Sequence, residues 1–340
     1  MLAALLVAQA FSFVVIGHTR GGPGNGTLPA ERYAEMVDEV RALHPSFVVL
    51  TGDLVYGDFE ATTVDRAAVE KDWDAVDAVF AQFGCPVHRV PGNHDLWEPT
   101  TRDLWTARYG ELQKSFEFGG SKFLLLNSCW TPAPGETGQC PPKFIRGVQL
   151  DGARLEFVRK EIASAKDALH VFVFLGHVLW WDEDAAWWKD VHPLLKSVNT
   201  SNVFSGDLGP WKFSRMQRDG IDYVQSSVEF ANPPIVMQRN RESIRMISEQ
   251  LDNFAYVTVY GANVHVELKT LGATSTELFT PAKYREVHEY DAGTFERKVF
   301  SRMETPEKLV GWLWKLGLSA FGGGMIVALA LVWVLRRKRA

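Results

Sequence analysis

Cysteine is scarce: Cys85, Cys129 and Cys140 are all that the 340 residues contain. Three thiols cannot staple a chain of this length, so a disulfide scaffold is excluded and the fold has to rest on a hydrophobic core. An excess of positive charge is missing too. With 36 basic against 41 acidic side chains, the formal charge is -5, and no basic stripe occurs before the last few residues. That leaves no footing for nucleic-acid binding. No internal repeat is found, which excludes a solenoid, and the length suits one large domain of roughly 250 residues with appendages.

Charged residues are absent altogether from Leu316 to Leu335. At 1.5 Å per residue this run spans about 30 Å, the thickness of a bilayer core, and it is expected to be a transmembrane helix. Trp312, Trp314 and Trp333 stand near its ends, and Arg336-Arg337-Lys338-Arg339 follows at once. Indoles favour the membrane interface and basic clusters stay inside, so residues 336–340 are expected to be a cytoplasmic tail. The globular part then lies on the exoplasmic side, periplasmic or extracellular, anchored by a single span. Residues 1–10 form an apolar run closing on Ala8-Gln9-Ala10, the form of a signal-peptide cleavage site, although no basic residue precedes it. The other reading is that these residues lengthen the first strand. Export would allow Cys129 and Cys140, which bracket a Pro- and Gly-bearing loop, to pair, with Cys85 a free, buried thiol. Residues 271–315 are polar and read as a stalk.

Between these ends the pattern alternates. Phe11–Ile16, Phe47–Leu50 and Pro86–Val90 are short apolar-flanked runs separated by amphipathic helical stretches at 29–43 and 64–83, the signature of right-handed parallel crossovers. Gly21–Gly26 reads as a mobile loop. Ser115–Phe118 and Lys122–Leu126 flank Gly119-Gly120 as a hairpin. A helix is expected over 150–166, then strands at 170–175 and 202–205. Tyr223–Gln225, Phe254–Val259 and Val264–Leu268 are read as completing a second sheet.

The loops leaving these strands carry the chemistry. Gly52-Asp53-Leu54-Val55-Tyr56 and Pro91-Gly92-Asn93-His94-Asp95 place carboxylates, an amide and an imidazole where an open α/β sheet binds ligands. Those are hard and borderline donors for a divalent cation. The two blocks resemble the GDxx(Y/D) and GNH(D/E) motifs of the calcineurin-like metallophosphoesterases. The resemblance covers about residues 11 to 270. It implies a four-layer αββα sandwich of two mixed sheets and hydrolysis of phosphomonoesters or phosphodiesters by water activated on metal ions.

Motif for motif, the resemblance makes Asp53 the bridging carboxylate, Asn93 an amide ligand and His177 a lone imidazole ligand. It makes His94 the proton donor to the leaving group, with Asp95 orienting its ring. Two blocks depart from the pattern. Asp-x-His is replaced by His18-Thr19-Arg20, and Gly-His-x-His by Gly206-Asp207-Leu208-Gly209. His18 and Asp207 can still ligate; Arg20 cannot, but its fork suits a substrate phosphate. One position thus keeps Asp53, Asn93, His177 and Asp207 and is expected to hold a Mn, Fe, Zn or similar ion tightly. The other keeps Asp53 and His18, with Tyr56 a candidate third ligand, and is expected to be weak. Plainer readings stand beside these: structural histidines at 18 and 177, a turn at Asp207, packing for Tyr56, a surface arginine at 20. Trp130, Trp180, Trp181, Trp187, Trp188 and Trp211 read as core packing or, less simply, as a stacking wall for substrate.

The sequence therefore points to an exported, membrane-anchored metallophosphoesterase acting on a small phosphoester. Its rival is an ectodomain of the same fold that binds or scaffolds without turnover.

Overall fold

The computed structural model describes residues 10–22, 25–59, 61–129, 150, 152–207, 213–228, 236–239, 244–248, 252–271 and 289–291. Residues 1–9 of the expected signal peptide, the transmembrane run, the basic tail and Cys140 lie outside them. Among the described residues no helix is long and apolar enough to cross a membrane.

Sixteen strands and six α-helices are described. The strands are β1 (Phe11–Ile16), β2 (Arg20–Gly22), β3 (Asn25–Thr27), β4 (Phe47–Thr51), β5 (Val87–Val90), β6 (Lys114–Phe118), β7 (Ser121–Leu126) and β8 (Val171–His177). They continue with β9 (Thr200–Asp207), β10 (Phe213–Arg218), β11 (Ile221–Ser226), β12 (Val236–Arg239), β13 (Ile244–Ser248), β14 (Asn253–Tyr260), β15 (Asn263–Thr270) and β16 (Glu289–Asp291). The helices are α1 (Ala30–Leu43), α2 (Arg66–Phe80), α3 (Pro99–Tyr109), α4 (Gly152–Ala163), α5 (Ala186–Asp190) and α6 (His192–Lys196).

One sheet runs β15-β14-β1-β4-β5 and the other β16-β12-β13-β10-β11-β9-β8-β7-β6. Each is mixed, with a parallel centre: β1, β4 and β5 in the first, β7, β8, β9 and β11 in the second. Two sequence expectations change here. The β14–β15 hairpin joins the first sheet, antiparallel to β1, instead of the second. Gly21–Gly26 contributes to a β2–β3 hairpin in which Arg20 pairs with Thr27.

Alternation along the strands builds the layers. Phe11, Phe13 and Val15 of β1, with Phe47 and Val49 of β4, face Phe123, Phe172, Phe174 and Phe204 of the other sheet. Phe13 stacks on Phe47 at 5.2 Å and meets Phe172 edge-on at 5.1 Å. Each such ring taken out of water contributes about 1.5–3 kcal/mol, which is what holds sheet to sheet. The intervening residues, Val14, Ile16, Val48 and Leu50, turn the other way onto Met36, Val37 and Val40 of α1 and Trp73 and Val76 of α2. On the far side, α4 is tied to the second sheet where Glu161 accepts from Lys122 at 2.7 Å and from Ser115 at 2.7 Å. Cys85 is half-buried, where a buried thiol was expected, and burial raises its pKa.

Candidate active site

Five expected ligands follow a glycine at or just past the end of a parallel strand: Gly17-His18, Gly52-Asp53, Gly92-Asn93, Gly176-His177 and Gly206-Asp207. The reason is steric. A Cβ on Gly17 would lie 2.4 Å from the Ser226 carbonyl oxygen, one on Gly176 2.6 Å from that of Pro91, and one on Gly206 2.3 Å from that of Thr51. One on Gly92 would lie 2.2 Å from Asp53 Oδ1. The strand ends of the two sheets touch backbone to backbone, and glycine permits that approach. The side chains that follow are thereby delivered to one place.

Asp53 is its centre. It is 1% exposed, and its backbone, like that of His18, is left-handed, with φ of 52° and 55°. Non-glycine residues adopt that conformation at a cost, typically where function requires it. Oδ1 accepts the His94 backbone N–H at 3.0 Å; Oδ2 lies 3.1 Å from His18 Nε2, 3.3 Å from Arg20 Nε and 4.0 Å from His94 Nε2. Burial alone would raise the Asp53 carboxyl. The charges of His94, His18 and Arg20 and the His18 hydrogen bond outweigh it and hold the group well below the usual carboxylate range. The centre of the site is a buried carboxylate in its ionised form.

His94 is oriented differently from the expectation. Its Nδ1 lies 3.0 Å from the Tyr56 carbonyl oxygen, so that carbonyl sets the ring. Asp95 instead brackets two loops: Oδ2 accepts the Gly92 N–H at 2.8 Å, and Oδ1 accepts those of Leu54 at 3.0 Å and Val55 at 3.5 Å. The chain binds the GD loop to the GNHD loop through Asp95, which acts on the site by holding its shape. Burial lowers the His94 pKa, against the neighbouring Asp53 charge, which raises it.

Arg20 is 15% exposed and reaches inward, where a surface position was the alternative. Besides Asp53 it donates from Nη1 to the Gly21 carbonyl at 2.8 Å and lies 5.7 Å from the centre of the Tyr56 ring. Tyr56 itself packs against His94 and Phe59, at 5.1 and 6.4 Å. The loop carrying His18 and Arg20 is fixed by a residue that sequence reasoning placed only on a helix face. Tyr33 of α1 donates its hydroxyl to the Thr19 carbonyl at 2.9 Å, and burial pushes its pKa up to about 12.

His177 enters from β8, and its Cα is the register partner of that of Asp207 in β9. The side chain of Asp207 lies outside the described residues. Ser128, two residues past the end of β7, escaped the sequence reading. Its Oγ accepts the His177 N–H at 3.1 Å and lies 3.0 Å from His177 Nδ1. With Nδ1–H donating to that oxygen, a ligand role falls to Nε2. Ser128→Ala is expected to weaken metal affinity about 10–100-fold, as loss of an outer partner to a ligating histidine does. Titration with Mn2+ or Zn2+ followed calorimetrically checks this; an unchanged affinity would remove Ser128 from the site.

Among the described residues no three His, Cys, Asp or Glu side chains form a cation cage. The donor set still fits one ion. Asn93 Oδ1 is buried and has no hydrogen-bond partner among the described residues, beside an ionised Asp53. A buried carbonyl oxygen left without a donor costs stability unless a cation or water satisfies it. Of the six tryptophans near these loops, Trp130 and Trp211 lie outside the described residues. Trp180, Trp181 and Trp187 are buried, and Trp180 and Trp188 pack on Tyr223 at 5.1 and 5.3 Å. Those described are packing side chains.

Two mixed sheets with outer helices gather the candidate loops at the carboxyl ends of their parallel strands. The chain belongs to the calcineurin-like phosphoesterases, whose family model matches residues 29–226, more than half of it. That stretch contains Asp53, Asn93, His94, His177 and Asp207 and leaves His18 and Arg20 outside. Family membership implies use of a divalent metal. Among solved structures, the chain is similar to GAP50, the anchor in the inner membrane complex of Plasmodium, at 10% identity and TM-score 0.50, covering 84% of this chain and 98% of that one. It is also similar to a dimetal phosphatase from Danio rerio at 12% identity and TM-score 0.49, covering 77% and 99%. A Zn2+ complex of Vps29 from Entamoeba histolytica matches at 12% identity and TM-score 0.33, covering 77% and 99%. No curated protein matches the sequence.

Proposed function

We propose that the protein is a metal-dependent phosphoesterase acting on a small phosphomonoester or phosphodiester, anchored in a membrane by residues 316–335 with its domain on the exoplasmic side. The observation that carries the reading is a buried, ionised Asp53 that accepts the backbone N–H of His94, next in sequence to Asn93, whose buried Oδ1 has no hydrogen-bond partner among the described residues. Asp53, Asn93, His177 and Asp207 would hold the ion, Mn, Fe, Zn or similar. When bound, it supplies Lewis acidity, lowers the pKa of water and absorbs charge developing on the phosphoryl oxygens. The chain's own groups do the rest. Asp53 neutralises and fixes the cation side of the site. Arg20 sets a permanent positive charge beside it, suited to a phosphoryl oxygen. His94 carries one proton at Nδ1, facing the Tyr56 carbonyl. Nε2, 4.0 Å from Asp53 Oδ2, is the atom placed to pass a proton to a leaving alkoxide, and the lowered pKa of the ring makes a proton taken up there readily given up.

A second reading, a binding or scaffold ectodomain without turnover, is favoured by one observation: Asp53 Oδ2 is already engaged by His18 and Arg20. The experiment that separates the two is metal content of the purified full chain together with turnover of nitrophenyl phosphate and bis-nitrophenyl phosphate. Bound metal with metal-dependent hydrolysis of either ester supports the enzyme. Metal without hydrolysis of any phosphoester supports the binding module.

A further inference from the structure

Asp53 offers two oxygens and about four lone-pair directions. Three are taken. Oδ1 accepts the His94 N–H at 3.0 Å, and Oδ2 faces His18 Nε2 at 3.1 Å and Arg20 Nε at 3.3 Å. One direction is left, on Oδ1, the oxygen that lies against Gly92 next to the unsatisfied Asn93. Counting acceptors thus gives room for one cation at this carboxylate and not for two.

The group that fills Oδ2 is itself a cation, and it is built in. Arg20 belongs to the β2–β3 hairpin, paired with Thr27. The hairpin is pinned to the Asp53 loop by the Tyr56 N–H donating to the Gly26 carbonyl at 2.9 Å, and His18 N–H donates to the Gly52 carbonyl at 3.1 Å. Tyr33 holds the carbonyl of Thr19 between His18 and Arg20. His18 Nε2 lies 3.1 Å from the same carboxylate oxygen, and the guanidinium lies between Asp53 and the Tyr56 ring. A divalent ion brought to Oδ2 would meet a fixed positive charge a few ångströms away in a buried site, where such repulsion is poorly screened.

We propose that the centre takes a single divalent ion and that the Arg20 guanidinium permanently occupies the place of a second cation, supplying its charge but not its Lewis acidity. The inference rests on the metal-dependent reading above and fixes its stoichiometry. It is tested on the full chain with Mn2+ alone, by elemental analysis and electron paramagnetic resonance. Wild type is expected to bind one Mn2+ per chain with the spectrum of an isolated ion. His18→Asp, which adds a carboxylate and keeps Arg20, should still bind one. His18→Asp combined with Arg20→His removes the resident charge and adds an imidazole, and should bind two with a spin-coupled spectrum. Two coupled ions in wild type or in His18→Asp would overturn the proposal, and so would a single ion in the double variant. Absence of bound Mn2+ from wild type would instead sink the metal-dependent reading itself, which is how the two failures are told apart.

Discussion

Asp53→Asn is expected to abolish metal binding and to lower phosphoester turnover by more than about 10³-fold, beyond the 10–100-fold that loss of an outer partner produces. The substitution keeps shape and removes charge. The asparagine oxygen can still accept the His94 N–H, but its amide group would then face Arg20 Nε, donor against donor. Arg20, 15% exposed, would lose its carboxylate, and breaking a buried ion pair from one side costs about 3–5 kcal/mol. Metal affinity, activity and stability should therefore fall together, as read by calorimetric titration, nitrophenyl ester turnover and urea melts. Retention of activity at the wild-type level would show that the chemistry is elsewhere.

Gly206→Ala is expected to cost about 3 kcal/mol or more, an unusually large penalty for one added methyl group. The new Cβ would sit 2.3 Å from the Thr51 carbonyl oxygen. That atom is backbone in a fully buried central strand, so it cannot swing aside. β9 has to move away from β4, and the relation between His177, Asp207 and Asp53 moves with it. Gly220→Ala makes the comparison: its φ is +82° but nothing lies within 4 Å of the added atom, so only the conformational cost of about 1 kcal/mol applies. Urea midpoints of the two variants check the difference. Equal losses would mean that the strand ends of the two sheets do not touch.

Two of the differences between sequence reading and structure have a long-range cause, and one was local. The β14–β15 pair was legible as strands because its apolar residues alternate, but nothing local distinguishes pairing with β1 from pairing with β11. The sheet was chosen by the long-range fit of Phe254, Ala255 and Val257 beside β1. Helix α3 left a local trace that periodicity missed: Glu98 and Thr101 form a capping box around Pro99. Asp95 stood next to His94 and was taken for its partner, yet its oxygens found the amides of Leu54 and Val55, about forty positions earlier.

The sequence by itself determined the strand and helix periods, the glycine before each ligand and the donor types in the GD and GNHD loops, because those depend on neighbouring side chains and on short-range backbone sterics. Tertiary structure alone decided that Ser128 holds His177, that Tyr33 holds the His18–Arg20 loop and that Arg20 reaches Asp53 instead of solvent. These contacts join residues 14 to 49 positions apart. Their geometry exists only once each sheet has assembled with the loops and helices around it, and no local pattern encodes which distant polar atoms then meet.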